Sequence, residues 1–329
     1  KGSIVEPAGV PGSPLSTNPK QIWLIAAFLG LAIPSGLVLL IESFNDKINE
    51  EDDIEQMTKV PVIGAIGYKR SKDHLVVAEN NRTLINEMFR LLRTNMNFLI
   101  TEDMHIRSVL VTSSISGEGK SFLTLNYGMT LALAGKKVLI LELDLRRPKQ
   151  EKYLQLDRSH LGIVNYLIDS GLTTKAVIRN SGLHKNLDLI TSGPIPPNPS
   201  ELILSGRLRG AIEELKENYD LILIDAPPIG MVSDAFQLHD LVDTTLYVVR
   251  FGYTRRAQLQ IIQDIAKKDK LPRPFIILNA VPIHKRYYGY SYAYSYGYGY
   301  NYSSNGYYNE DKKGVLAKFS TNFFSKFLS

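Results

Sequence analysis

Residues 108–133 read SVLVTSSISGEGKSFLTLNYGMTLAL. The opening SVLVTS is a short apolar, β-branched run, which predicts a buried strand. From Ser121 to Ala134 the chain carries long and small apolar residues without proline, which predicts a helix. Between them, SISGEGKS (Ser114–Ser121) fits GxxxxGK[ST] except at its first position, where Ser114 stands for glycine. Gly117 and Gly119 let the backbone curl so that its N–H groups converge on phosphate oxygens at a helix N-terminus. Lys120 suits the β- and γ-phosphates, and the Ser121 hydroxyl suits Mg²⁺. Ser116, Gly117, Glu118, Gly119, Lys120, Ser121 and Phe122 are therefore the candidate nucleotide-binding stretch, with ATP and Mg²⁺ as the expected cofactors.

Outward from this loop, strands and helices alternate. KVLILEL, LDLIT, DLILIDA, TTLYVV and FIILNA are further apolar runs, and Pro199–Lys216, Ser233–His239 and Thr254–Lys267 read as helices between them. Continuous apolar strands joined through helices predict an α/β fold of the P-loop type, a mostly parallel sheet covered on both faces. Ligands of such sheets bind beyond the carboxyl ends of the strands. Two of those ends are acidic. DLILIDAPP closes on Asp225, suited to a metal ion, and KVLILELDLRRP closes on Glu142 and Asp144, which share a face because alternate residues of an extended chain do. Arg146 and Arg147 follow, fitting a phosphate contact, a subunit contact or a solvated loop equally well.

Ahead of the α/β pattern, Ile22–Ile41 (IWLIAAFLGLAIPSGLVLLI) is uncharged throughout, long enough as a helix to cross a membrane. Trp23 and the flanking charges support a span over residues 20–42, and Pro34 is tolerated there. Residues 1–19 form a proline-punctuated stub expected to lie outside the cytoplasm and to continue a longer chain. Residues 43–80 read as a juxtamembrane linker with one short strand at Val60–Ile66, and Lys69, Arg70 and Lys72 fit anionic headgroups or a solvated loop equally well. A cytoplasmic domain is expected over 81–286. It opens on an amphipathic helix, TLINEMFRLLRTNMNFLI, with Leu84, Met88, Leu91, Leu92, Met96 and Leu99 on the apolar stripe.

The 329 residues include no cysteine, so disulfides and thiolate metal sites are excluded. The net charge of +5 is modest and no helix carries a basic stripe, which argues against a nucleic-acid partner. The most biased segment is YYGYSYAYSYGYGYNYSSNGYY, residues 287–308, holding eleven of the eighteen tyrosines: Tyr287, Tyr288, Tyr290, Tyr292, Tyr294, Tyr296, Tyr298, Tyr300, Tyr302, Tyr307 and Tyr308. Its Gly, Ser, Ala and Asn partners supply no second packed surface, so a disordered low-complexity tail is expected. Residues 309–329 follow, with Leu316, Phe319, Phe323 and Phe327 near one helical face among lysines; a membrane-surface helix, docking to the domain and disorder all fit.

GEGKS at Gly117–Ser121, DLRRP at Asp144–Pro148, DAPP at Asp225–Pro228 and the terminal tyrosine cluster occur in the order that resembles the bacterial tyrosine kinases, P-loop autokinases fused to membrane-spanning polysaccharide co-polymerases. SGPIPPNPSEL at Ser192–Leu202 is similar to the family's loop between the second and third motifs. The resemblance covers nearly the whole chain. It implies an ATP-dependent tyrosine autokinase that phosphorylates the cluster of a neighbouring subunit in trans and regulates a complex for capsular or exopolysaccharide export at the inner membrane. It also implies a homo-oligomeric ring with contacts through Glu87, Arg90 and Arg93 (ExxRxxR), contact with membrane lipid, a cognate tyrosine phosphatase and the export machinery as partners. One departure stands out: the second acidic motif usually begins with Asp, and here the position is Glu142.

Within this reading, Lys120, Glu142, Asp144 and Asp225 are the expected catalytic residues. Glu142 is expected to orient the acceptor phenol or take its proton, while Ser121, Asp144 and Asp225 hold Mg²⁺, largely through water. Asn279, at the end of FIILN, is expected to contact adenine. Two other readings compete: a nucleotide-timed ATPase switch of the partitioning and septum-site type, and a catalytically silent co-polymerase scaffold. The switch proteins usually carry a lysine early in the loop, where this chain has Ile115. The eukaryotic protein-kinase signatures HRDLxxxN and DFG do not occur.

Overall fold

The strands of the computed structural model are β1 Val62–Gly67, β2 Ser108–Ser113, β3 Val138–Glu142, β4 Arg179–Asn180, β5 Leu187–Ile190, β6 Leu221–Asp225, β7 Thr244–Arg250 and β8 Pro274–Val281. They form one sheet in the order β1-β8-β7-β2-β6-β3-β5-β4. Every pairing is parallel except β4 with β5. The structure describes residues 19–283 apart from 44, 69–72, 80–82, 100–104, 155, 157–159 and 232. The tyrosine cluster, the tail 309–329, residues 1–18 and the basic residues Lys69, Arg70 and Lys72 lie outside the described residues.

Alternate residues of the central strands feed two separate cores. In β2, Leu110 joins one cluster and Val109 and Val111 the other; in β3, Leu139 and Leu141 oppose Val138 and Ile140. The first cluster is closed by the helices Gly206–Asn218 and Arg256–Lys267, through Leu208, Ile212, Leu259 and Ile262. The second is closed by the helices Leu84–Leu99 and Lys120–Leu133, through Met88, Phe89, Leu123 and Tyr127. Such two-sided burial is what continuous Val/Ile/Leu strands require.

Four differences from the sequence reading have physical causes. The segment 43–80 is not a linker after residue 46: Ile48 and Ile54 are fully buried, and β1 pairs with β8, completing the sheet edge. The expected helix Pro199–Lys216 breaks into Pro199–Ile203 and Gly206–Asn218, because Ser205 turns extended and caps the second piece by accepting from the Leu208 N–H. The helix at Leu84–Leu99 buries Ile85, Phe89 and Asn86 beside Met88, Leu92 and Met96, leaving Leu91 46% exposed, so its inward stripe is rotated. The antiparallel β4, only two residues long, carries no sequence signal.

The described residues from Pro19 to Asp46 belong to a unit separate from the α/β unit. The helix Pro19–Ser43 contains Pro34, and its stretch Lys20–Leu40 has mean hydropathy 2.3 with none of it buried. Its length and composition suffice for a membrane span.

Candidate functional site

β6 lies between β2 and β3, so three carboxyl ends meet side by side. Asp225 is in register with Val111 of β2 and with Glu142 of β3. By strand parity Glu142 follows Val138 and Ile140, and Asp225 follows Leu223, so both point to the face covered by the helix that begins at Lys120. Alternation alone thus delivers two carboxylates to the foot of the phosphate loop.

That loop is held in shape by its two glycines and by a clasp from elsewhere. Gly117 and Gly119 have φ of +94° and +102°, the left-handed region that side chains resist. The turn after β7 supplies the clasp: Arg250 Nη1 donates to the Gly117 carbonyl at 2.7 Å, the Tyr253 hydroxyl to the Ser116 carbonyl at 3.0 Å, and the Thr254 hydroxyl to the Glu118 carboxylate. The same turn is tied to the start of the α/β unit, where Gly252 N–H donates to the Ile48 carbonyl at 2.7 Å. Glu118 faces inward: its other oxygen accepts the Ile115 N–H at 2.7 Å. Asn279 Nδ2 donates to the Glu118 carbonyl at 2.8 Å, and its Oδ1 accepts the Ala280 N–H at 2.9 Å. In this structure both side chains brace the loop, Glu118 through the Ile115 N–H and Asn279 through the Glu118 carbonyl.

Lys120, Ser121, Asp144 and Asp225 come together as expected. Lys120 is only 3% exposed; burial pushes its ammonium below the ordinary range while the Asp225 and Asp144 charges pull it back up. Burial raises Asp225 and Asp144 above the usual carboxylate range, with Lys120 opposing in both cases. The Arg147 N–H donates to Asp144 Oδ1 at 3.1 Å. Desolvated charge of both signs at one loop is the pattern of a functional site.

Glu142 has a different place from the one its motif suggested. Its Oε1 accepts the N–H groups of Lys149 at 2.6 Å and Gln150 at 2.9 Å, and its Oε2 accepts the Ser192 N–H at 3.2 Å. The side chain is fully buried, and burial raises it to about 7, against the backbone donors that lower it. A carboxylate so occupied fixes the loop 144–150 and the segment at Ser192.

Two residues absent from any motif complete the cluster. Gln150 is fully buried, and its Nε2 donates to Asp225 Oδ2 at 3.2 Å and to the Ser121 carbonyl at 3.3 Å. Tyr153 stacks on His74 at 3.8 Å between centroids; burial raises its phenol, and the Asp225 and Glu142 charges raise it further. Arg146 is tied down by Asp234 at 3.1 Å and Ser200 at 2.9 Å, while Arg147, Lys152, His160 and Ile195 line a cleft of about 640 Å³ beside the cluster.

Among the described residues no group of three Asp, Glu, His or Cys side chains is arranged to hold a metal by itself. The donor set nevertheless fits Mg²⁺, which keeps several waters and takes only one or two carboxylates. Asp225 Oδ1 and Gln150 Oε1 are buried acceptors without a hydrogen-bond partner, the vacancies a hydrated cation fills. Glu87 and Arg90, on the helix Leu84–Leu99, pair with each other at 2.8 Å, and Arg93 follows one turn on.

Residues 106–249 match a family model described as an AAA domain. The chain is 32% identical over 222 residues to Tyrosine-protein kinase YwqD of Bacillus subtilis (strain 168), covering 67% of this chain and 92% of that protein. It is 35% identical over 218 residues to Putative tyrosine-protein kinase CapB of Staphylococcus aureus, covering 66% of this chain and 94% of that one. Among solved structures, the chimerical protein CapA2B2 superposes with a TM-score of 0.64 at 31% identity, over 71% of this chain and 100% of that one.

Proposed function

This chain belongs to the bacterial tyrosine-protein kinases, and from that premise we propose that it passes the γ-phosphoryl group of ATP to the tyrosines at 287–308 of a neighbouring copy. The observation that carries the proposal is the convergence of Lys120, Ser121, Asp144 and Asp225 on one glycine loop, buried and charged before any ligand arrives.

Phosphoryl transfer asks the protein mainly for position and charge compensation. The loop's backbone N–H groups cradle the phosphates, and Lys120 neutralises the β- and γ-groups. Ser121, Asp144 and Asp225 hold Mg²⁺, which when bound screens the phosphate oxygens against the incoming phenol. Glu142 keeps the Asp144 loop at its distance from β6 through three backbone contacts. The transition state is loose, so little base assistance is required of the site. The cleft beside Arg147 lies next to Asp144 and is the candidate route for a tyrosine segment.

The helix Pro19–Ser43 anchors the domain to the inner membrane, with the ATP-consuming side in the cytoplasm. Glu87, Arg90 and Arg93 are assigned to contacts in a ring of subunits. Each phosphotyrosine adds about −1.5 to −2 charges, so phosphorylation loosens the ring and, with a phosphatase resetting it, cycles a polysaccharide export complex.

The test uses the full chain in detergent with ATP and Mg²⁺, probed for phosphotyrosine. The parent should label, whereas Lys120→Met and a chain ending at Lys285 should not. A mixture of those two should label again, since one supplies the site and the other the acceptors. Label on Lys120→Met alone would overturn the assignment; a silent mixture beside a labelled parent would overturn transfer in trans.

A further inference from the structure

Gln150 occupies a position that a packing residue would leave apolar. It is fully buried between two acceptors, the Asp225 carboxylate and the Ser121 carbonyl, and its backbone N–H is held by Glu142. Its amide orientation follows from these neighbours. The reverse orientation would set Oε1 against both acceptors, two repulsive contacts in a dry site. With Nε2 so engaged, Oε1 is left buried without a donor, and Oδ1 of the adjoining Asp225 is in the same condition. A buried acceptor with no partner is unfavourable, so two of them flanking one hydrogen bond indicate a ligand that brings donors. Asp144 and Asp225 face one buried cation, Lys120, so a positively charged ligand balances the second carboxylate. A hydrated divalent cation brings both the charge and the O–H donors.

We propose that Gln150 is a positioning residue of the metal site: its amide nitrogen holds the Asp225 carboxylate, and its amide oxygen accepts a hydrogen bond from the water shell of a divalent cation beside Asp225. This rests on reading Asp225 as a metal-side carboxylate.

The experiment titrates Mg²⁺ against a fluorescent ADP analogue bound to the full chain in detergent, for the parent, Gln150→Met and Gln150→Glu. Gln150→Met should raise the Mg²⁺ concentration for the half-maximal effect by about tenfold or more, the usual cost of losing an outer partner of a metal site, while nucleotide affinity without metal stays put. Gln150→Glu keeps an oxygen toward the water shell but removes the nitrogen and sets a second oxygen against the Asp225 carboxylate and the Ser121 carbonyl, so it too should need more Mg²⁺ than the parent. If Gln150→Met does not fold, Gln150→Asn, too short for either partner, carries the same expectation. Equal Mg²⁺ requirements in all variants would overturn the proposal. So would a matching fall in the metal-free affinity of Gln150→Met, which marks Gln150 as a packing residue. A parent whose nucleotide affinity ignores Mg²⁺ would instead remove the metal reading of Asp225, and the proposal with it.

Discussion

Arg250 Nη1 donates to the carbonyl oxygen of Gly117 at 2.7 Å, tying the end of β7 to the middle of the phosphate loop. The guanidinium also lies 5.0 Å from the Tyr253 ring centroid, and Tyr253 in turn reaches Ser116. A carbonyl held from behind cannot swing into the space where phosphate oxygens belong. Hydrogen bonds to charged groups contribute about 1.5–3 kcal/mol, so Arg250→Ala should weaken ADP binding by about tenfold or more in calorimetry. Unaltered affinity would show that the loop keeps its shape without the clasp.

Gly119→Ala meets two obstacles at once. The backbone sits at φ +102°, and an added Cβ would stand 2.0 Å from Asn279 Nδ2. Left-handed strain alone costs about 1–3 kcal/mol. The variant should unfold at lower urea concentration, and adding Asn279→Ala should recover only the steric share. Full recovery in the double variant would mean that the backbone angle carries no penalty.

Stability of the ligand-free protein should fall between pH 5 and 8. Glu142 is raised from 4.5 to about 7, first by burial and then by the Asp225 charge. A raised folded value favours the neutral acid, so its contribution is complete below about 4.5 and disappears as pH climbs through 7. The upper bound is about 3 kcal/mol. Denaturant unfolding at the two pH values should show the decline, and Glu142→Gln should flatten it, leaving a residual slope of the same sign from Asp144 and Asp225. A parent profile that is level or rising would refute the assignment.

Glu87 and Arg90 make a 2.8 Å pair on a helix whose opposite face is buried. Within one subunit such an i,i+3 pair is worth only about 0.2–0.5 kcal/mol. Replacing Glu87, Arg90 and Arg93 with alanine should therefore leave the melting temperature and nucleotide affinity nearly unchanged, yet lower the sedimentation coefficient of the detergent-solubilised protein. Sedimentation identical to the parent would remove these residues from the ring.

Some of this site was legible at once. SISGEGKS between SVLVTS and a helical run needs only local backbone rules, and the strand ends at Glu142, Asp144 and Asp225 followed from alternation. Other contacts were not legible, because the side-chain partners are remote in sequence. Glu118 and Asn279 belong to motifs, yet they brace the loop, Glu118 through Thr254 from the turn after β7 and Asn279, on β8, through the Glu118 carbonyl. Gln150 carried no signal, since glutamine two residues after a proline looks like any exposed loop.

The amino-acid order alone determined the alternation of buried strands and helices, the phosphate loop and the apolar span, because these depend on near neighbours: side-chain parity, glycine torsions, unbroken hydrophobicity. Tertiary structure decided that β6 inserts between β2 and β3. That choice sets Asp225 beside Glu142, turns Gln150 inward and converts Glu142 into an anchor. Strand order is a matter of which faces and edges close together most completely, a property of the whole sheet that no single stretch encodes.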